Sequence, residues 1–379
     1  MVDTIKIWLE TSFGQIPTSP KVYLIKAKSG LAIAESQSKT KNQEHGNKGR
    51  GSAPTYGATE NTISLPLVMG NANLPLINAL VYGKATTVES AASGDWAADT
   101  VVVAGDIVSH SDDAHSLICK VGGTTGSDEP DLTDKNDNDT IDDNGVIWVV
   151  YRNLWLHTGE SVACPESFGI EITETDCAGT TKYRRALGCR INSCPAGQTG
   201  DASSYDMALE GFAQTVQDSD IPNVTYTPIA DEDNYTEVDL RKEEFYNYED
   251  SIFTINDVKS TKVTGYNATT TRNVKYENTL NQLKEDSVGT IDVNGTLDAY
   301  FDLGLFQMAY IHNTFKAELT WAKGNGSKCT YIHQNVKADR AAKTFDTETK
   351  TKISMSVDVF GTATEADVQY IAISPTPAL

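Results

Sequence analysis

Residues 315–321 read Phe-Lys-Ala-Glu-Leu-Thr-Trp, an alternation of apolar and polar side chains that stops at the turn-forming Lys-Gly-Asn-Gly of residues 323–326. The same period of two recurs at residues 168–173, 290–294 and 352–359. Successive side chains of a strand point to opposite faces of a sheet, so this period predicts antiparallel strands with one face buried. We therefore expect a mainly β protein.

A few segments show helical spacing instead. The clearest lies between an asparagine cap, Asn71 or Asn73, and Gly83, with four apolar residues on one face. Two further helical segments are predicted, Tyr205 to Phe212 and Leu297 to Ile311.

Residues 36–62 form a polar stretch with almost no apolar side chains. Its basic residues are Lys39, Lys41, Lys48 and Arg50. No aromatic residues are interleaved with them, which argues against a nucleic-acid site. We expect either an exposed arm that lies on an acidic neighbour or a disordered loop.

The chain of 379 residues carries a formal charge of −21 with 39% apolar residues, so a core can form while nucleic acid is repelled. No apolar run is long enough to cross a membrane, and the first ten residues lack a signal-peptide pattern, so we expect synthesis in a cytoplasm. The six cysteines include no C-x-x-C pair and are expected to be buried or idle thiols.

Motifs of enzymes and metal sites are missing from the sequence. No nucleophile elbow, phosphate-binding loop, dinucleotide fingerprint or H-E-x-x-H pair occurs. Residues 134–145 invite a calcium interpretation, but an EF-hand needs Gly at position six and Glu at position twelve, where this chain has Asp139 and Gly145. We predict no enzyme, no catalytic residues, no metal and no cofactor.

Residues 86–155 differ in composition from the rest. They hold fourteen acidic and three basic residues, a charge of −11, against −10 for the other 309 residues. We interpret them as a small all-β domain inserted in a surface loop. Trp96 and Trp148 lie near its two ends, and they serve either as its core or as a glycan-stacking platform.

Two stretches resemble the tail tube proteins of long-tailed, siphovirus-type bacteriophages. The first holds Phe13-Gly14, Gly49-Arg50-Gly51, Tyr56-Gly57, Ser64-Leu65-Pro66-Leu67 and the helix to Gly83. The second holds Pro165-Glu166-Ser167-Phe168-Gly169-Ile170-Glu171-Ile172, Tyr183-Arg184-Arg185-Ala186-Leu187-Gly188-Cys189-Arg190-Ile191 and the short predicted helix to Phe212. The insert resembles a small β module of phage virion proteins that is similar to carbohydrate-binding modules. The resemblance lies in Trp96-Ala97-Ala98-Asp99-Thr100, Gly105-Asp106-Ile107-Val108, Gly122-Gly123-Thr124-Thr125-Gly126-Ser127, Glu129-Pro130 and Gly145-Val146-Ile147-Trp148. Leu117-Ile118-Cys119 stands where that module commonly has an aromatic residue, which argues against sugar binding.

The resemblance divides the chain into three parts. Residues 1–85 form the first part of a tail tube domain, with an extended arm at about 36–62; residues 86–155 form an outward-facing insert; residues 156–379 form the second part. The implied fold is a β-sandwich or barrel with one or two short helices and a small all-β insert.

The resemblance also implies a function. Copies would join into rings, usually hexamers, and the rings would stack into a tube that conducts the genome. A folded insert on the outer wall would collide with a contractile sheath, so we expect a non-contractile tube. The protein would be a structural component of the phage tail, made in the host cytoplasm.

The implied partners are other copies of the chain, tape-measure and tail-terminator proteins, and DNA that passes an acidic lumen without specific binding. The alternative function is that of a glycan-binding surface or adhesion protein that acts through the insert, with weak glycan binding there.

Overall fold

The computed structural model describes residues 2–40, 55–70, 73–83, 86–87, 95–103, 106–111, 115–135, 139–152, 155–160, 165–199, 206–221, 225–232, 234–241, 245–278, 284–287, 289, 291–322, 328–339, 342–344, 351–360 and 367–374. Over these residues the chain is mainly β, which confirms the predicted fold class.

The strands are β1 (Val2–Leu9), β2 (Lys21–Ile25), β3 (Ala32–Thr40), β4 (Thr55–Val68), β5 (Thr86–Thr87), β6 (Val101–Val102), β7 (Ile107–Ser109), β8 (His115–Val121), β9 (Gly123–Thr124), β10 (Thr140–Asp143), β11 (Val146–Arg152), β12 (Trp155–Glu160), β13 (Phe168–Thr175), β14 (Thr181–Thr199), β15 (Asp206–Phe212), β16 (Thr215–Asp218), β17 (Thr236–Asp239), β18 (Ser251–Ile255), β19 (Val258–Lys259), β20 (Val263–Thr271), β21 (Lys275–Asn278), β22 (Lys284–Ser287), β23 (Asp292–Tyr300), β24 (Thr314–Ala322), β25 (Lys328–Ala338), β26 (Ala342–Thr344), β27 (Lys352–Val359) and β28 (Asp367–Ser374). The α-helices of the described residues are α1 (Asn73–Tyr82) and α2 (Leu303–Tyr310).

The main body has two hydrogen-bonded layers. Sheet A has the order β17–β2–β1–β13–β14–β16, with only the β2–β17 pair parallel. Sheet B has the order β3–β4–β15–β14–β20–β23–β27–β25–β24–β18. Buried side chains of both layers, such as Ile170 and Leu297, belong to one core together with Ile77 of α1. The layers therefore form a sandwich.

Strand β14 belongs to both layers and turns the corner between them. Its first half pairs with β13, and its second half pairs with β15 and β20. Gly188 lies at the bend with φ +61°, and a Cβ there would come within 2.7 Å of the Gln214 Cβ. The buried carboxylate of Glu10 accepts the Gly188 N–H at 2.8 Å and the Gly14 N–H at 2.8 Å. Burial raises the pKa of this carboxyl.

Part of the outer face of sheet A is covered. Glu171 and Arg185 are cross-strand partners and form a buried ion pair at 2.7 Å. The Tyr226 hydroxyl at 2.8 Å and the Ile229 N–H at 3.0 Å also donate to the Glu171 carboxylate. A small cluster of buried side chains around Trp8 and Ile229 lies on this same side. Residues 225–232 thus shield this part of sheet A from solvent.

The helix predictions have mixed outcomes. Helix α1 is confirmed, and Gly83 follows it with φ +96°. The helix predicted for Tyr205 to Phe212 is wrong, because residues 206–212 form strand β15, whose Met207 and Leu209 are buried while Glu210 is exposed. The helix predicted for Leu297 to Ile311 is wrong at its start, since residues 297–300 complete β23 and α2 begins only after the Asp302 cap.

The acidic segment has a sheet and a core of its own. Strands β10, β11, β8 and β7 form a four-stranded sheet, and β6 pairs with β9. Eight buried side chains around Leu117 and Trp148 form a cluster separate from the main core. The neck of the segment is the pair β5–β12, in which Thr87 lies opposite Trp155.

Candidate assembly surfaces

Strands β3 and β4 extend beyond sheet B as a hairpin. They pair from Ala32 opposite Ser64 to Thr40 opposite Thr55, whereas β4 pairs with β15 only from Thr62 to Val68. We call residues 35–40 and 55–61 the arm hairpin. The segment expected as an arm or loop thus begins and ends in paired strands.

The base of the arm hairpin is tied to sheet A. Glu35 lies 3.7 Å from the Arg184 guanidinium, which is also 3.3 Å from the Asp218 carboxylate. Lys39 is exposed on the hairpin. The other three basic residues singled out from the sequence, Lys41, Lys48 and Arg50, lie outside the described residues.

Sheet B ends in edge strands. In the described part of the chain, β3 pairs with β4 alone, and on the far side β18 pairs with β24 and the two-residue β19. In sheet A, β17 pairs only with β2 there. An edge strand presents backbone N–H and C=O groups that a second chain can pair with. The edges of sheet B are therefore candidate surfaces for contact between copies.

The outer face of sheet B is mainly polar, and most of its side chains are short. We call this surface the polar face. It consists of exposed or half-buried cross-strand neighbours: Ala32, Ala34, Thr62, Ser64, Pro66, Ala208, Glu210, Phe212, Ser193, Pro195, Gly197, Asn267, Thr269, Thr271, Asp292, Asn294, Thr296, Asp298, Tyr300, Lys352, Ser354, Ser356, Asp358 and Lys337. In this set there are four carboxylates, two lysines and no arginine, and the two aromatic rings, Phe212 and Tyr300, are half-buried and lie at its rims. The set spans eight strands from β3 to β25.

The two tryptophans of the acidic segment share one carboxylate. The indole N–H groups of Trp96 and Trp148 both donate to Asp143 Oδ2, at 2.9 and 3.0 Å. Asp143 Oδ1 accepts the Gly126 N–H at 2.7 Å. Trp148 is fully buried and Trp96 is half-buried against the same cluster. This geometry supports the core interpretation of the pair, because Trp148 offers no ring face to a sugar.

The sequence analysis did not predict two of these features, the role of Asp143 and the location of the polar face. Asp143 lies inside the segment for which a calcium site was rejected. The signal that could have identified it is its position two residues before the turn glycine Gly145 and five before Trp148. The polar face could not be located either, since a period of two shows that one face is exposed but not which strands are neighbours.

Comparison with known proteins gives one match. Residues 4–370, nearly the whole chain, match a family model described as phage tail tube protein. A search of curated proteins finds no match. Neither of the described α-helices is long and apolar enough to cross a membrane.

Proposed function

The chain belongs to the phage tail tube protein family, and on this premise we propose that its copies join edge to edge into rings that stack into a non-contractile tube for the genome. Membership of the family makes it a structural protein of the virion tail that associates with other copies of itself. The observation that carries the finer proposal is the polar face, a bare surface of eight strands bounded on one side by the edge strand β3.

The polar face is proposed to line the lumen. Phosphates are held mainly by lysine and arginine, and each such contact adds to the affinity and to its dependence on salt. A wall with four carboxylates and two lysines per copy has a net negative charge and does not retain DNA, and its mostly short side chains leave the channel open. Sheet A is unsuited to this role because residues 225–232 cover part of its outer face, around Trp8 and Glu171.

Rings close when the edge of one copy pairs with the edge of the next, which removes the hazard of exposed edges. By family resemblance, the ring is proposed to be a hexamer and the tube to belong to a siphovirus-type tail. The arm hairpin is proposed to carry Lys39, Lys41, Lys48 and Arg50 onto the next ring. Tape-measure and tail-terminator proteins are the proposed further partners.

The insert is proposed to face outward. Its neck, β5–β12, joins sheet B through β28, which pairs with residues 328–332 of β25. No residue of the polar face lies on β5, β12 or β28, and Lys337 of β25 lies beyond the residues that pair with β28, so the insert is attached away from the proposed lumen. A domain on the outer wall leaves no room for a sheath. The alternative of glycan binding by the insert would have to use Trp96 without Trp148.

Labelling of assembled tubes tests the lumen assignment. In a background with Cys164→Ser and Cys177→Ser, Thr296→Cys introduces a thiol on the polar face, and Ser127→Cys introduces a matched exposed thiol on the insert. In tubes, Thr296→Cys should react with a small maleimide but not with a maleimide carried on a bulky protein, whereas Ser127→Cys should react with both.

Two results would contradict the proposal. Reaction of Thr296→Cys with the bulky reagent in intact tubes would place the polar face outside. The proposed assembly itself would be refuted if negative-stain microscopy showed no rings or tubes of the wild-type chain at any concentration.

A further inference from the structure

Helix α2 exposes apolar side chains on the side away from the core. Leu303, Tyr310 and Ile311 have exposed fractions of 59%, 55% and 60%, and Phe301 is also exposed. The Phe306 ring lies 5.8 Å from the Phe301 ring and 6.3 Å from the Tyr310 ring. We call these five residues the helix patch. On the opposite side of α2, other apolar residues pack on the main core.

The helix patch is a preformed surface. The Asp302 carboxylate caps the helix by accepting the N–H groups of Gly304 at 2.9 Å and Leu305 at 3.1 Å. A capped helix that is apolar on both sides is unusual at a protein–water boundary. Clustered apolar residues on a surface mark a contact with another molecule.

Charge indicates which molecule covers the patch. No residue from Leu303 to Tyr310 is charged, although the whole chain carries −21. Copies of so acidic a chain repel one another, and a contact through an uncharged surface keeps that repulsion lowest. A second copy of the chain is therefore favoured over a charged partner such as nucleic acid.

The position of the patch agrees with a contact between rings. Along β4, β15, β14, β20 and β23, one rim of sheet B is marked by Thr62, Phe212 and Asp292, and the arm hairpin continues from this rim. Helix α2 follows Tyr300 at the other end of β23. The arm hairpin and the helix patch thus lie at opposite rims of the same ladder.

We propose that the helix patch is covered by a second copy of the chain in the adjacent ring, at the rim from which that copy's arm hairpin extends. This inference rests on the proposed function. A contact between opposite rims is heterologous and does not close on itself, so it propagates along a tube. Five side chains are few beside the roughly 20–30 residues per side of a standard interface. One copy should not bind another through the patch alone, but the contacts of a whole ring act together.

The test is a pair of acidic substitutions at exposed positions of the patch, Leu303→Asp with Ile311→Asp. Val101→Asp with Val103→Asp, which adds the same number of charges at residues of the insert that are at least as exposed, is the matched control. Loss of the stacking contact should raise the protein concentration needed for tubes at least about ten-fold while rings still form, and the control should behave as wild type. Thermal denaturation checks that the variants are folded.

A protection measurement gives a second readout. In the background with Cys164→Ser and Cys177→Ser, Ile311→Cys should react with maleimide in rings and be protected in tubes, whereas Val101→Cys should react in both. Tubes at the wild-type concentration from the Asp variant, or an unprotected Ile311→Cys in tubes, would overturn the inference and leave the proposed function intact. Loss of rings as well as tubes in the Asp variant would also overturn it, because the patch would then lie within the ring. Absence of rings and tubes from the wild-type chain would instead refute the proposed function.

Discussion

Replacement of Asp143 by alanine should unfold the insert and leave the tube intact. The change removes the acceptor of three donors, the indole N–H groups of Trp96 and Trp148 and the Gly126 N–H. A donor left unsatisfied in the interior costs about 1–3 kcal/mol. Water can reach the part-buried donors of Trp96 and Gly126. We therefore expect the insert to lose about 3–6 kcal/mol of folding free energy rather than the roughly 9 kcal/mol of three fully buried donors. A core of this size supplies roughly 3–5 kcal/mol, so the insert should be largely unfolded.

Limited proteolysis with mass spectrometry measures this effect. Asp143→Ala should be cut within residues 95–152 at low protease, while the main body stays resistant and tubes remain visible by microscopy. Asp143→Asn keeps one acceptor oxygen and should be intermediate. Asp128→Ala is the control, because this exposed carboxylate accepts only from the exposed Ser127 hydroxyl among the described contacts. If Asp143→Ala remained as resistant as the control, the shared carboxylate would not hold the insert together.

Three more predictions concern the main body. As the pH rises above 4.5, the melting temperature of Glu10→Gln should increase relative to that of wild type. Burial raises the pKa of the Glu10 carboxyl, so this group stabilises the wild-type fold fully below its ordinary pKa and loses that contribution as the pH rises through the raised value. A difference in melting temperature that stays constant across a pH series would contradict this. Gly169→Val should cost about 1–3 kcal/mol in denaturant unfolding, since a Cβ there would lie 2.1 Å from the Trp8 ring, and an unchanged midpoint would refute the close packing. Glutamate at Lys39, Lys41, Lys48 and Arg50 should shorten tubes, as should high salt for the wild type. Tubes of normal length from that variant would show that the arm charges do not act in stacking.

Local alternation was enough to predict the strands that bury one face on the core. Residues 315–321 and 352–359 lie within β24 and β27, and Ile353, Met355 and Val357 are all buried. The same alternation exists in Asp206–Phe212, but small residues there fit a helix equally well, and only pairing with β4 along seven residues decides for a strand. Tertiary pairing, not propensity, decided this segment.

The long strand β14 could not be recognised from its residues. Gly188 and Pro195 suggest breaks in a chain segment. In the structure, Gly188 forms the corner between the two layers. Pro195 pairs with β20 on one side, but the last residue of β14 that pairs with β15 on the other side is Ser193. Proline is tolerated on such a side because no N–H is needed. The polar face and the edges of sheet B depend on this corner, so local sequence patterns could not predict them either.

The neck of the insert has a consequence for how such a protein can be altered. Because the chain leaves at Thr87 and returns opposite it at Trp155, whatever lies between these residues only has to start and finish at one point. The segment between Thr87 and Trp155, the guest, can be exchanged, enlarged or deleted without moving a strand of the main body, the host. A particle built from many such hosts would display its guests at a spacing fixed by the host alone, as a regular scaffold for grafted domains.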